Sequence, residues 1–406
     1  MPRLRVLTCA ALVLAAGGCG SVSQSSTGST TLTIYSSLPL QGSGSQRSQD
    51  IVDGEKLALA QAGGQVGPFT VNFRSLDDST AMGRWEPGAT VDAARAAASD
   101  RNAIAYIGDV DAGATALSLP VLNSAGVLQV SPGTTYGGLT SRQGAGEGEP
   151  ERYYPSGHQT FARLVPPDGV QATAIAQLMS ASHCRRVAVF TARDAFEGSL
   201  GRLLAAAIRA AGMPIVFAGE VAGDVRARVK AAAGAGAGRA DCATFAAELD
   251  DDPAGMYRAL HDADPGIRLI APMALADPTF AAALGPAESS TTVLGPAPPP
   301  RLLGPLALKF AGDFKHAYSR APGQWAILGY EAMRAVLFAI QRAGQRGNDR
   351  TVVTNRFLAL RARRSALGTY SMEPTGDSTL DDLAAYRVRT GALAFERTVR
   401  GGSQGA

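Results

Sequence analysis

The side chains in this chain that could do chemistry are its histidines, its cysteines, its runs of paired carboxylates and one glycine run. His158, His183, His261 and His316 are dispersed, without the short spacings that let imidazoles share a metal ion, and read as surface or capping residues. Asp77-Asp78 and Asp250-Asp251-Asp252 fall at expected loops, where solvated carboxylates form no acid/base pair. The run from Gly234 to Gly238 follows an expected helix and precedes an expected strand, the reverse of the order that cradles a pyrophosphate, and reads as a helix terminator. There is no G-x-S-x-G elbow and no H-E-x-x-H pair. None of Lys56, Lys230, Lys309 and Lys315 completes a Walker A loop, which excludes a P-loop ATPase. The reading is therefore of a protein that is not an enzyme, with no catalytic residue, no metal site and no cofactor.

Charge narrows the class further. The 406 residues carry 38 basic and 35 acidic side chains, nearly all the bases are arginine, and they are scattered without interleaved aromatics. Nucleic-acid binding is not expected. With 46% hydrophobic and 18% charged residues, the chain can build ordinary globular cores, and its length allows two or three domains.

The N-terminus addresses the chain to export. Arg3 and Arg5 precede an apolar run from Val6 to Ala16, which is shorter than the about 20 residues needed to span a bilayer but suits a secretory signal. Ala16-Gly17-Gly18 then lead to Cys19, and this junction resembles the lipobox of bacterial lipoproteins, although Ala16 stands where leucine or valine is usual. The resemblance implies removal of residues 1–18, lipidation of Cys19, a Ser/Thr/Gly-rich tether over 19–31 and anchoring to the outer face of the cell membrane. The competing reading is an ordinary signal peptide that ends near a cysteine. Cys9 leaves with the signal, so Cys184 and Cys242 remain, and two thiols in an exported protein invite a disulfide, the alternative being two buried free cysteines.

The elements that must position any site alternate in type. Strands are expected over Leu32–Ser36, Phe69–Phe73, Ala103–Ile107 and Val127–Val130, with helices over Gln46–Ala62, Thr90–Ser99 and from Ala112. After a Gly-, Glu- and Pro-rich loop or insertion (Gly137–Pro155) and an extended crossover (Phe161–Pro167), the alternation restarts. Helices are expected over Val170–Met179, Phe196–Ala211, Val225–Ala233 and Ala254–Asp262. Strands are expected over Arg186–Phe190, Pro214–Ala218, Asp241–Phe245 and Ile267–Ala271. The alternation stops there, giving way to a stiff crossover (Leu294–Pro300), helices over Leu302–Tyr318 and Trp325–Ala343, and a terminal hairpin turning at Gly391. This is an α/β chain of two doubly wound, Rossmann-like (flavodoxin-like) lobes joined by crossovers. The expected lobes are 32–162 with 299–377, and 163–298 with 378–400. In the strand order 2-1-3-4-5, Cys184 and Cys242 fall at one rim of the second lobe, where a bridge would staple the sheet far from the ligand-binding ends.

Four segments carry a family resemblance over nearly the whole mature chain. Ile34–Gly64, Ala103–Thr135, the run RRVAVFTARDAFEGSLGRLL and the run LGTYSMEPTGDSTL resemble, in order, the recognisable blocks of type I periplasmic substrate-binding proteins, most closely the branched-chain amino acid binding family of ABC importers. The resemblance implies the type I periplasmic binding protein fold, with the two lobes joined by three hinge crossovers, and a monomeric receptor that closes on a small solute and docks on ABC permease subunits. It also implies a site. Ala112, Gly133 and Thr135 match the positions that hold an amino acid's carboxylate and ammonium, Phe196 replaces the usual tyrosine, and Phe245 aligns with another aromatic. Asp111, Gly113, Ser131 and Thr134 flank these positions, and the free N–H groups of a helix starting at Ala112-Gly113 can receive an anionic group.

Two departures bear on the ligand. Met273 stands where amino acid binders place an acid, and Asp111 would disfavour an anion, so a neutral or cationic solute rather than leucine is expected. Import, ligand sensing for a signalling partner and a lipoprotein enzyme with an unrecognised site are the functional alternatives.

Overall fold

The computed structural model describes residues 29–80, 85–221, 223–224, 227–229 and 237–402. The lipobox with Cys19 lies outside the described residues, as do most of the helix expected over Val225–Ala233 and of the glycine run that follows it. No described helix is long and apolar enough to cross a membrane.

The first sheet contains β1 (Thr31–Leu38), β2 (Gln65–Val66), β3 (Phe69–Asp77), β4 (Ala103–Ile107), β5 (Leu128–Ser131) and β6 (Phe161–Arg163), in the order β2-β3-β1-β4-β5-β6. All its pairings are parallel except the short β2–β3 hairpin. The second sheet contains β7 (Val187–Thr191), β8 (Ile215–Glu220), β9 (Cys242–Ala246), β10 (Arg268–Ala271) and β11 (Thr291–Gly295). After a small hairpin of β12 (Arg363–Ser365) and β13 (Gly368–Tyr370), β14 (Asp382–Arg389) and β15 (Ala392–Arg400) complete it, in the order β15-β14-β11-β10-β9-β7-β8. The parallel part of each sheet has the order 2-1-3-4-5. Strands such as β4 and β9 are buried along their whole length, as expected when helices cover both faces of a parallel sheet.

Helices α1 (Ser45–Gln61), α2 (Pro87–Ser99) and α3 (Ala112–Ser124) belong to the first lobe. Helices α4 (Asp168–Ala181), α5 (Ala195–Ala210), α6 (Pro253–Ala263) and α7 (Pro278–Ala283) belong to the second. The chain then returns through α8 (Pro300–Leu303), α9 (Pro305–Tyr318), α10 (Ala326–Ala343) and α11 (Arg350–Leu358) to the first. There α10 crosses α1 at a pair of glycines: a Cβ at Gly54 would lie 2.1 Å from the Ala326 carbonyl oxygen, and one at Gly329 would lie 2.2 Å from that of Ile51.

Several sequence expectations are corrected. Phe161–Arg163 is the last strand of the first sheet, so the first crossover is only 164–167. The alternation does not stop at Ala271: α7 and β11 follow, and the β-branched run Thr291-Thr292-Val293 was the overlooked signal. The helix expected over Leu302–Tyr318 is broken at Gly304, whose φ of 97° ends α8. Asp78 is not solvated but wholly buried, held by the Ser37 hydroxyl at 3.3 Å.

The three crossovers are 164–167, 296–299 and 371–381. The first and third are pinned by the wholly buried Arg163. Its amide donates to the Gly376 carbonyl at 3.0 Å, and its Nε donates to Asp377 at 2.6 Å.

Cys184 and Cys242 form a disulfide with a Cα–Cα distance of 5.7 Å at the N-terminal rim of β7 and β9. It closes a loop with a sequence separation of 58, for which the chain-entropy relation gives about 4 kcal/mol. The double variant Cys184→Ser/Cys242→Ser is expected to lose about that much stability in urea unfolding monitored by circular dichroism. An unchanged midpoint would contradict the staple.

Candidate functional site

The C-terminal ends of both sheets face one another across the crossovers, and two small cavities lie there. The inner one, of about 30 Å³, is lined from the first lobe by Arg47, Val110, Ala112, Gly133, Thr135 and Tyr136, and by Trp325 at the head of α10. The second lobe contributes Phe196, Glu197, Leu200, Ala247, Glu248 and Ala274, and the start of α4 contributes Asp168 and Gln171. The outer cavity, also of about 30 Å³, lies towards the mouth between Pro39, Ser43, Trp85, Asp111, Leu249 and Asp250. Arg47 and Glu248 border both cavities and so partition the cleft. At these volumes the lobes are closed on each other, and a solute of amino acid size enters only when they part. Larger grooves lie outside the cleft: one of about 710 Å³ between α4 and α5, reached from the first lobe only by Gln143, and one of about 830 Å³ beside β14 and β15 on the second lobe.

Of the expected site residues, Ala112, Gly133, Thr135 and Phe196 converge on the inner cavity, and Asp111 on the outer one. Gly113 lies where a Cβ would stand 2.5 Å from the Trp85 ring and 3.5 Å from Phe196, so its bareness lets two aromatic rings close over the start of α3. Ser131 and Thr134 are buried beneath the site loop rather than lining it. The Ser131 hydroxyl accepts the N–H groups of Gly133 at 3.2 Å and Thr134 at 2.9 Å, and so shapes the turn that presents Gly133 and Thr135.

Phe245 and Met273 do not line the cavity. Phe245 is wholly buried on β9 inside the second lobe. Met273 is likewise buried, its amide donating to the Gln171 side chain at 3.0 Å, and its neighbour Ala274 takes the cleft position. The aromatic walls are instead Tyr136, Phe196 and Trp325. Tyr136 and Phe196 meet edge to face across the lobes at 4.8 Å, and Trp325 donates its indole N–H to the Ala276 carbonyl at 2.9 Å. The Gly- and Glu-rich stretch after Tyr136 is a support for this wall: the buried Glu149 accepts the hydroxyls of Tyr136 and Tyr153.

The charge pattern also differs from expectation. Asp111 does not cap α3; it accepts a hydrogen bond from Arg47 Nη2 at 3.2 Å, both side chains being buried. The charge that was to repel an anion is thus matched by a guanidinium, and the physical reason for preferring a neutral or cationic solute is removed. The acids missing at Met273 are supplied by Glu197 and Glu248 on the second lobe. Burial, aided by the neighbouring Asp194 and Glu248, pushes the Glu197 carboxyl up to about 11. Glu248 is held well above the usual carboxylate range by burial and by the charge of Asp111, against the pull of Arg47. Burial also raises Asp168, which accepts from the Gln171 amide at 2.8 Å. At neutral pH Glu197 is therefore a neutral acid, able to donate a hydrogen bond to a ligand oxygen or to yield a proton to a ligand amine. Arg47, Glu197, Glu248 and Trp325 carried no sequence signal, because each lies in a loop or helix start whose spacing to the others is set only by folding.

The fold and the cavity define a two-lobed protein that takes up a small molecule between its lobes. A profile of the periplasmic binding protein family matches residues 31–392, and the chain belongs to that family, whose members are extracytoplasmic binding proteins and not enzymes. Its structure is similar to that of a leucine binding protein from Thermotoga maritima, with a TM-score of 0.77 and 21% identity over 91% of this chain and 99% of that one. A solute binding protein from R. palustris in complex with benzoate aligns with a TM-score of 0.73 and 18% identity over 91% of this chain and 96% of that one. A branched-chain amino acid transporter substrate binding protein from Streptococcus pneumoniae in complex with isoleucine aligns with a TM-score of 0.73 and 17% identity over 91% and 99% of the respective chains. At these identities the likeness is one of fold. A sequence search of curated proteins finds no match.

The raised carboxyls have a pH signature. Below the ordinary glutamate range, about 4.3, both the folded and unfolded chains hold these protons. Above it the unfolded chain releases them while the folded cleft retains them, so stability falls with pH towards about 11. Glu197→Gln keeps a neutral hydrogen-bonding side chain and removes the titration. Its melting temperature is expected to fall less steeply than that of the wild type between pH 5 and pH 9. Parallel curves in thermal scans would contradict the buried neutral acid.

Proposed function

We propose that this protein is the extracytoplasmic solute receptor of an ABC importer, a lipoprotein that captures a small polar solute, amino-acid-like or related, by closing its lobes over it. The observation that carries the reading is the inner cavity. It draws Ala112, Gly133 and Thr135 from one lobe and Phe196, Glu197 and Glu248 from the other, so a ligand there gains contacts only when the hinge closes. The N–H groups at the start of α3 and the Gly133–Thr135 turn suit a ligand oxygen, and the aromatic walls suit an apolar body. The solutes held by the similar proteins, leucine, isoleucine and benzoate, each join a carboxylate to such a body.

In this reading the lobes are 32–162 with 299–377 and 163–298 with 378–400, and they pivot on the three crossovers. The closed form docks, as a monomer, on membrane permease subunits, and Cys19 carries the lipid that keeps the receptor beside them.

The test is a thermal-shift screen of amino acids and small aromatic acids, followed by small-angle scattering with each hit. A hit at a hundred times its dissociation constant is expected to add about 2.7 kcal/mol and to shrink the radius of gyration. A protein that neither gains stability nor changes shape with any solute would sink the reading. Separately, Cys19→Ser is expected to release the protein from the membrane fraction and to abolish labelling by radioactive palmitate; retention of both would remove the lipid anchor.

A further inference from the structure

Arg47 is the cleft group whose hydrogen-bonding capacity the closed protein leaves incomplete. It leaves the Gly/Ser loop at the head of α1 and is only 5% exposed. Nη2 is taken by Asp111, and the guanidinium carbon sits 5.6 Å from the centroid of the Trp325 ring. Its Nε–H is buried with no hydrogen-bond partner. An enclosed guanidinium N–H without an acceptor is costly, and here it belongs to a side chain that borders both the inner cavity and the mouth.

The other charged or titratable groups facing the inner cavity are Asp168, Glu197, Glu248 and the Tyr136 hydroxyl, with Asp111 and Asp250 at the mouth, so Arg47 is the cationic residue among the described lining residues. Of these acids, Glu197 presents a neutral carboxyl at neutral pH, which is compatible with an anionic group nearby and can donate to it, and burial with the charge of Asp111 shifts Glu248 in the same direction.

We propose that Arg47 is the specificity-determining residue of the cleft: its Nε–H receives a carboxylate of the ligand, while the ligand's apolar body lies against Tyr136, Phe196 and Leu200. The inference rests on the solute-receptor reading and names what that reading leaves open, the ligand group that must be present and the side chain that demands it. A planar guanidinium donates to a carboxylate with both charge and direction, which a neutral amide of the same shape cannot match and a protonated amine opposes.

Two probe series separate the headgroup from the body. Phenylacetate, phenylacetamide, phenethylamine and phenylalanine share one body; 4-methylpentanoate, its amide, 3-methylbutylamine and leucine share another. In titration calorimetry the wild type is expected to bind the acids or amino acids of at least one series, to bind the matching amide roughly tenfold or more weakly, and to ignore the amine. Arg47→Gln is expected to weaken acid binding by roughly ten- to hundredfold and to bring acid and amide close to equal, with Arg47→Lys in between. The acid-to-amide ratio is a readout that a merely structural role for Arg47 would not move. If Asp111, left without its partner, prevents Arg47→Gln from folding, Arg47→Gln/Asp111→Asn removes the pair whole and is read the same way.

An amide or amine that binds the wild type as well as its acid, or an acid preference that survives Arg47→Gln, overturns the assignment. So does failure of every probe while scattering still records closure on some other solute, an outcome that leaves the receptor reading standing. Lobes that close on nothing bring down the receptor reading itself.

Discussion

The buried guanidinium of Arg163 is the constraint on which both the hinge and the site depend. Its Nε holds Asp377 on the third crossover, Nη1 reaches the carbonyls of Tyr136 at 2.7 Å and Thr134 at 3.5 Å, and Nη2 contacts the Thr140 hydroxyl. A buried arginine that loses its partners leaves an uncompensated charge in a low-dielectric interior, a cost of about 3–5 kcal/mol. One side chain thereby ties two crossovers together and fixes the turn carrying Gly133 and Thr135. In the proposed receptor, a hinge held in this way would pivot without letting the binding turn drift, which is what closure needs if it is to report occupancy.

The cleft built on that hinge couples the lobes through aromatic and acidic groups. The Tyr136–Phe196 contact, the Trp325–Ala276 hydrogen bond and the Ser199 hydroxyl on the Gly144 carbonyl all cross from one lobe to the other. None of these is a strong fastening alone. Opening exposes them to water at small cost, so a modest ligand free energy can decide the balance between open and closed forms. The Arg47–Asp111 pair and the acids opposite it set the polarity of the space that opens.

Much of the architecture was legible in the chain. Alternating strand and helix periods, and the rule that such alternation winds a parallel sheet, were enough for two lobes, and the strand order placed Cys184 beside Cys242. The misses have local causes. β11 hid behind a Gly/Pro/Ser-rich stretch, β6 was read as connector because only three of its residues pair, and Asp78 looked solvated because it follows Asp77 at a strand end. In the site, Ala112, Gly133, Thr135 and Phe196 border the inner cavity because they sit at strand–helix junctions, where the fold class itself puts ligands. Phe245 and Met273 were misplaced because neighbours on a strand or turn point to opposite sides, and a slip of one residue moves a side chain from cleft to core.

By itself, the sequence determined the class of architecture and the pair of cysteines available to bridge. Each of these is written along the chain, as periodicity or as a count. Only the tertiary structure decided that Arg47 would meet Asp111 across 64 residues of chain, that Glu197 and Glu248 would face them from the other lobe, and that Trp325 would return from the second crossover to wall the same space. The physical reason is that charge in a cleft depends on what desolvates and opposes it. Those neighbours come from segments that meet only after the lobes have folded and closed.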